Sequence, residues 1–213
     1  METSRRAAGF GLLIYALATP LAFMSSGAPG GGYSDHMVRS YIASEHWVPA
    51  FLFCYLGAAG ALGLLLFGTR WHAALGSAGD LLRSLTVAGA ATSVVGWFLD
   101  GGVAVSMAEG GHTVQHGVPH PVIYTLTETG NLLAVCAPAF FLGVGAILMA
   151  SRSSMPTWLK AFSVLAGVCG ILAPLFFTYG VFVLWTVVFS VWLVVGARRP
   201  AIATPASPSA AVV

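Results

Sequence analysis

Residues 86–108 read TVAGAATSVVGWFLDGGVAVSMA, a run whose only ionisable side chain is Asp100. An apolar run of this length can cross the ~30 Å hydrocarbon core of a bilayer as one helix. The stretch therefore predicts a membrane span that contains a carboxyl group at a depth where charge is costly.

The composition of the whole chain is that of a membrane protein. Of its 213 residues, 57% are hydrophobic and 8% are charged, whereas a soluble domain carries about 25% charged residues. The formal net charge of +2 is too small to indicate nucleic-acid binding, so no nucleic-acid partner is expected. The three cysteines are scattered among apolar residues and form neither a disulfide framework nor a metal motif.

Six apolar runs are long enough to be transmembrane helices, near 8–26, 47–68, 84–107, 122–150, 158–176 and 178–197. We predict an all-α fold, a six-transmembrane-helix bundle over residues 1–199 with a disordered tail over 200–213. The first run is interpreted as a retained span because no clean cleavage site follows it. Residues 177–180 predict a tight hairpin between the last two runs, with one interrupted segment as the alternative.

The positive charges predict the orientation of the bundle. In the six-span arrangement all lysines and arginines except Arg39 fall on one side. The positive-inside rule places this side and both termini in the cytoplasm, as in a multi-pass protein of a bacterial plasma membrane. All histidines except His72 then lie on the outer side.

Asp100 has a predicted partner on the next span. At 1.5 Å per helical residue, Asp100 lies about 10 Å and Glu128 about 9 Å below the outer ends of their spans. Because a modest loop joins these spans, we expect antiparallel neighbours with the two carboxyl groups at one depth. Tyr124 and Asn131 share the helix face of Glu128, at steps of four and three residues.

The two carboxyl groups suit acid–base chemistry. Burial disfavours an ionised carboxylate, so one group can stay protonated as a general acid beside an ionised partner. The same pair can relay protons in a transporter. Two alternatives without chemistry stay open: the groups only fix helix packing through hydrogen bonds, or both lie in water at the headgroup level.

The second outer loop, EGGHTVQHGVPHP (109–121), contains His112, His116 and His120 at regular steps of four. On a helix this spacing aligns three ligands for a divalent ion such as zinc or copper. The glycines and prolines between them oppose a continuous helix, so the favoured interpretation is a solvated loop without a cofactor. A divalent metal ion at the outer face is the alternative.

Aromatic side chains indicate where a lipophilic ligand would bind. Trp97 lies one turn before Asp100, and the last span carries Tyr179, Phe182 and Trp185. Such a stripe is typical of helix packing or lipid contact. The functional alternative is an aromatic wall that lines a cavity for an apolar or cationic ligand.

Two segments carry a resemblance: MPTWLKAFSVLAGVCGILAPLF (155–176), before an aromatic helix ending in Gly-Ala-Arg-Arg, and SDHMVRSYIASEHWVPAFLFCYLGAAGALGLLLFGTR (34–70). They resemble uncharacterised six-span membrane proteins of high-GC Gram-positive bacteria, grouped as a domain of unknown function. The resemblance implies a six-helix bundle and no catalytic residues; WFLDGG (97–102) and TETGN (127–131) are not part of that pattern. Small polytopic terpene cyclases offer a looser analogy of bundle, embedded carboxyl groups and aromatic cavity.

The leading hypothesis from the sequence is a membrane-embedded enzyme that cyclises or isomerises a lipophilic, isoprenoid-like substrate. Asp100 or Glu128 would protonate the substrate, and the other carboxylate would accept a proton or stabilise positive charge. Tyr124 and Asn131 would orient that carboxylate, and a cavity would be lined by Trp97, Tyr179, Phe182 and Trp185.

Two alternatives belong to other classes of protein. One is a carrier or sensor for protons or metal cations, in which the outer histidines collect the ion and the buried pair relays it. The other is an accessory subunit of a larger complex. Lipids are expected partners in every case, and the oligomeric state stays open.

Overall fold

The computed structural model describes residues 2–25, 34, 36–37, 40, 47–72, 78–113, 120–152, 155–175 and 177–196. These residues form helices and their connections, without a strand among them. The helices are α1 (Glu2–Ser25), α2 (Trp47–His72), α3 (Ala78–Thr113), α4 (His120–Asn131), α5 (Ala137–Arg152), α6 (Thr157–Ile171) and α7 (Tyr179–Gly196). A π-helical segment, Leu132–Cys136, joins α4 directly to α5, and a 3₁₀ turn, Ala173–Leu175, follows α6. The predicted tail over 200–213 lies outside the described residues.

Five helical stretches are long and apolar enough to cross a membrane: Thr3–Ser25, Val48–Trp71, Gly79–Ser106, Val122–Ser151 and Tyr179–Gly196. The run predicted as the fifth span, 158–176, forms the 15-residue α6 and the 3₁₀ turn instead of one long helix. At 1.5 Å per residue α6 is about 22 Å long, shorter than the hydrocarbon core. The predicted all-α fold with several apolar candidate spans is thus confirmed.

α1 packs on α2, α2 on α3, and α3 on both α4 and α5. α5 packs on α6, α6 on α7 and α7 on α1, so the helices form a closed ring. Facing pairs show that neighbours are antiparallel. On α2 and α3, Gly57 faces Trp97 and Gly68 faces Thr86. The start of α1 and the end of α7 meet, since Arg5 reaches Gly196. We call this the basic end of the bundle, because Arg5, Arg6, Arg70, Arg83 and Lys160 occupy helix ends there.

Small residues bring α3 very close to the segment between α4 and α5. A Cβ on Gly96 would collide with the backbone of Ala134 in the π-helical segment. Glycine is therefore required for this approach, as at small-residue contacts between membrane helices generally. The contact fixes the position of Asp100, which follows Gly96 by one turn of α3.

The main hydrophobic core lies between α1, α2, α3, α5, α6 and α7. Trp185 and Phe189 of α7 are fully buried in it and stack with ring centroids 5.1 Å apart. A smaller cluster surrounds Trp97, with Phe53 and Val135 among its members. The aromatic stripe of the last span is thus a packing stripe, as the first of its two interpretations predicted.

The α6–α7 hairpin ends part-way along the bundle. Its 3₁₀ turn contacts the π-helical segment, and the Thr178 hydroxyl closes the end of α6 by donating to the carbonyls of Cys169 and Leu172, both at 3.0 Å. On the side away from the basic end, α4 packs chiefly on α3. The stretches of α3 and α4 that carry Asp100 and Glu128 therefore face each other in a part of the bundle that the α6–α7 hairpin does not reach.

Candidate functional site

Asp100 lies inside the bundle, with only 4% of its surface exposed. Its carboxyl group occupies the space that a side chain at position 130 of α4 would fill, so that it packs directly on Gly130. On the other side, Gly101 brings α3 against Cys54 of α2. Among the described residues, neither carboxyl oxygen of Asp100 has a hydrogen-bond donor. A buried carboxyl group without a donor is the least satisfied polar group of this interface.

Glu128 lies two residues before Gly130, in the same stretch of the α3–α4 contact. Its side chain is half-buried and close enough to Asp100 for the two carboxyl groups to interact electrostatically. The structure thus brings together the two acids that the sequence predicted as a pair. Glu128 supplies the more accessible member and Asp100 the enclosed one.

Tyr124 and Asn131 flank Glu128 on α4. Tyr124 is 43% exposed and lies one turn before Glu128, whereas Asn131 is half-buried at the last residue of α4. Both therefore lie on the same helix as Glu128, at spacings that let their side chains approach it. Of the four residues predicted to carry the chemistry, Asp100 alone is enclosed by the bundle.

The π-helical segment beside the pair has an identifiable cause. Pro138 lacks an N–H, so the carbonyl four residues before it, that of Ala134, loses its ordinary helical donor. Ser93 of α3 replaces this donor, because its hydroxyl donates to the Ala134 carbonyl at 2.8 Å. The backbone N–H of Ala137 bonds instead to the carbonyl of Leu132, five residues back. Side-chain hydroxyls and local π geometry commonly satisfy backbone groups freed by proline in membrane helices.

Sequence reasoning missed both this hydrogen bond and the π geometry. The available signal was Pro138 within an apolar run, together with Ser93 on the Asp100 face of α3. π-helical turns are rare and occur frequently at functional sites. Here the π-helical segment begins directly after Asn131, the last of the predicted site residues on α4.

A second group of buried polar side chains lies deeper in the bundle. Tyr15 of α1 and Tyr179 of α7 place their hydroxyls close to each other, but these do not form a hydrogen bond within the described part of the chain. The Cys136 thiol is near both tyrosines and also interacts with Glu128. The side chains of Tyr15, Tyr179 and Cys136 thus form a line of ionisable groups that leads from the carboxyl pair into the bundle. Neither Tyr15 nor Cys136 was predicted as a site residue; a tyrosine in the middle of an apolar span was the available signal.

The predicted aromatic wall is part of the protein interior. Trp97 is fully buried, packs on Gly57, and lies 5.2 and 5.0 Å from the rings of Phe23 and Phe53. Phe182 and Trp185 are likewise fully buried, and the Trp185 indole N–H donates to the Ser163 hydroxyl at 2.9 Å. Tyr179 is half-buried and contacts the cluster around Trp97. Trp97, Phe182 and Trp185 are therefore core residues, and Tyr179 is a partly buried neighbour of the core. Of the four, Trp97 lies one turn before Asp100 on α3.

The predicted metal ligands cannot be placed at a site. The side chains of His112, His116 and His120 lie outside the described residues. Within the described part of the chain, no group of three or more His, Cys, Asp or Glu side chains has a geometry that could hold a metal ion.

These features define the class of the protein: a helical bundle with five candidate spans, in which a buried Asp100 lies beside a half-buried Glu128 at an interhelical contact. Comparison of the chain with protein-family models, with curated proteins and with solved structures finds no match. The resemblance to six-span proteins of high-GC Gram-positive bacteria therefore stays a prediction.

Proposed function

We propose that this chain is a multi-pass protein of a bacterial plasma membrane whose Asp100–Glu128 pair binds and releases a proton during transport or sensing. The membrane location is supported by the five long apolar helices. The orientation, with both termini in the cytoplasm, is supported by the basic end, where Arg5 meets Gly196. Positive charge is enriched on the cytoplasmic side of membrane proteins.

The observation that carries this proposal is the Asp100 carboxyl group, enclosed by Gly130 and without a hydrogen-bond donor among the described residues. An ionised carboxylate in such surroundings costs several kcal/mol, so the protonated form is favoured while α3 and α4 are packed together. Ionisation requires water or a cation to reach the carboxylate. Because the contact between α3 and α4 encloses the carboxyl group at Gly130, release of the proton in this proposal requires α4 to move away from α3.

Glu128 provides the exchange route in this proposal. It is half-buried and near Asp100, so it can pass a proton between Asp100 and the surroundings. Electrostatic repulsion disfavours a state in which both groups are ionised. One protonated and one ionised carboxyl group is the expected resting state of the pair.

The test is proton uptake by the full chain reconstituted in phospholipid vesicles that contain a pH-sensitive dye. Asp100→Asn keeps the size of the side chain but removes the exchangeable proton, and we expect it to abolish uptake. Asp80→Asn is the matched control, since Asp80 is an exposed acid at the start of the same helix. Infrared spectra should show the C=O stretch of a protonated carboxylic acid that Asp100→Asn removes and Asp80→Asn leaves. Unchanged uptake and an unchanged spectrum in Asp100→Asn would exclude the proposal.

A second candidate function is the acid–base enzyme for a lipophilic substrate. It is supported by the exposure of Tyr124 and the half-buried state of Glu128 on α4, which let a substrate reach Glu128 from the side. Since Phe182 and Trp185 are packed in the core, the substrate would bind along α4 and not along α7. Proton uptake in vesicles without any isoprenoid favours the first proposal. A co-purifying lipophilic compound, converted by the wild type but by neither Asp100→Asn nor Glu128→Gln, favours the enzyme.

The metal-linked variant of the first proposal has its own readout. Stoichiometric zinc or copper in the purified protein, lost when His112 and His116 are replaced, would support an ion-collecting outer loop. Metal content that is unaffected by these replacements would remove the histidines from the proposed function.

A further inference from the structure

A second site lies at the basic end, away from the carboxyl pair. A groove of about 610 Å³ runs along α7, with Pro156 and Trp158 on one side and Arg5 at its head. Its floor is apolar and consists largely of valines 187, 188, 191 and 195. Val191 and Val195 are 47% and 57% exposed, so the groove opens on the outside of the bundle.

Arg5 gives the groove a positive head. Its guanidinium stacks on the Trp192 ring, 4.3 Å from the centroid, and reaches the backbone at Gly196. The Arg5 Nε atom is buried and has no hydrogen-bond acceptor among the described residues. Stacking on an aromatic ring holds the planar guanidinium in place and leaves its donor edges available. A buried donor without an acceptor is costly, so an anion at this point would satisfy it.

We propose that the groove binds an anionic phospholipid, with one acyl chain along the valines and the phosphate on Arg5. The groove combines the two parts of such a ligand: a long apolar surface and, at one end only, a fixed guanidinium. Arginine donors match phosphate oxygens in geometry and charge. Trp158 and Trp192 flank the head, as expected where tryptophan lies at the membrane interface. Basic pockets between helices at the cytoplasmic side hold anionic headgroups in this way.

The site is independent of the proposed proton exchange, because Asp100 and Glu128 lie away from the basic end. It depends only on the location of the bundle in a membrane. The neighbouring cations of the basic end raise the local concentration of anionic lipid, while the groove itself determines which molecule is held.

The experiment is native mass spectrometry of the full chain in detergent with phosphatidylglycerol or phosphatidylcholine of identical acyl chains. We expect preferential retention of phosphatidylglycerol. Arg5→Gln should weaken it about fivefold or more and weaken the retention of phosphatidylcholine less, because the choline cation offsets the charge of its phosphate. Val191→Trp, which fills the groove but keeps Arg5, should reduce the retention of phosphatidylglycerol as well. Arg83→Gln removes an exposed cation of the same end outside the groove and should weaken the retention of phosphatidylglycerol much less than Arg5→Gln does.

Three results would overturn the proposal. Equal weakening by Arg5→Gln and Arg83→Gln would show general attraction by surface charge. Unchanged phosphatidylglycerol binding in Val191→Trp would show that the chain does not occupy the groove. Displacement of the lipid by glycerol phosphate at equal concentration would identify a free phosphate compound as the ligand. Thermal unfolding in detergent checks that each variant is folded, and Arg5→Lys, which keeps the charge, should retain the preference for phosphatidylglycerol.

Discussion

Replacement of Ser93 by alanine tests the physical account of the contact between α3 and the π-helical segment. The Ser93 hydroxyl donates to the Ala134 carbonyl at 2.8 Å, and Pro138 cannot supply the ordinary helical donor to that carbonyl. Ser93→Ala therefore takes a donor away from a buried acceptor. Both residues are fully buried, and the substitution adds no atoms, so the perturbation stays local.

The magnitude follows from two known ranges. Interhelical hydrogen bonds in membrane proteins contribute about 0.6 kcal/mol on average and about 1.7 kcal/mol at most. Loss of a partner from a buried polar group costs about 1–3 kcal/mol. Because Pro138 leaves Ala134 without its helical donor, we expect a cost of about 1.5 kcal/mol, roughly a tenfold change in the unfolding equilibrium. Titration of mixed micelles with a denaturing detergent, followed by circular dichroism, measures this free energy.

Thr92→Ala is the matched control. Among the described residues, the Thr92 hydroxyl bonds to carbonyls of its own helix, those of Ala88 and Gly89, at 3.0 Å, so its loss should change stability by no more than about 0.5 kcal/mol. Pro138→Ala restores an N–H four residues after Ala134. In that background Ser93→Ala should cost about 1 kcal/mol less, a coupling that a double-mutant cycle detects. Equal costs for Ser93→Ala and Thr92→Ala, or an additive cycle, would refute this account of the π-helical segment.

Two further predictions concern packing and use thermal unfolding in detergent. Gly96→Ala should cost more than about 2 kcal/mol or prevent folding, because its Cβ would meet the backbone of the π-helical segment. Gly102 faces open space, so Gly102→Ala should stabilise the protein by up to about 1 kcal/mol. Similar effects of the two substitutions would contradict the close approach at Gly96. Trp185→Phe should cost about 2 kcal/mol, through loss of the bond to Ser163 and of packing in the buried core. If that bond is responsible, Ser163→Ala should add little to Trp185→Phe, and full additivity would speak against it.

The fold class could be predicted from the sequence because apolar runs of spanning length leave few alternatives. The break before α7 was also predicted from the residues around Gly180. The length of α6 was not. Hydrophobicity continues to Leu175, but α-helical geometry ends at Ile171, and apolar composition does not distinguish a helix from an apolar hairpin turn.

The candidate site could be predicted only in part. Counting residues places Asp100 and Glu128 at one depth, because helical rise is nearly constant. Which faces meet depends on the rotation of each helix about its axis, and here Gly96 and Gly130 determine it through close approach. Steps of three and four also fail across the π-helical segment. One additional residue in a turn rotates the following helix by about 100°, so Pro138 does not continue the face of Glu128.

The aromatic wall was predicted from the apolar and aromatic composition of the last span. Phe182 and Trp185 face inward whether the interior is a cavity or a packed core, since a helix face records only which side is apolar. Their contacts distinguish the two cases. The indole N–H of Trp185 has a partner in Ser163, and both rings are fully buried, so this part of the bundle is packed.

The positions of the fixed contacts indicate how α4 would move. The Ser93–Ala134 hydrogen bond and the Gly96 contact hold the π-helical segment against α3. One turn further along α3, Asp100 meets Gly130 on a helix that packs chiefly on α3. Ionisation of Asp100 would create repulsion with Glu128, and this repulsion would act on α4, whereas the π-helical segment is held against α3. The π geometry of that segment provides a natural hinge for a movement of α4. We expect Pro138→Ala, which favours regular α-helix there, to slow proton uptake without removing the infrared band of Asp100. Loss of the band would place the effect at the carboxyl group itself and exclude the hinge.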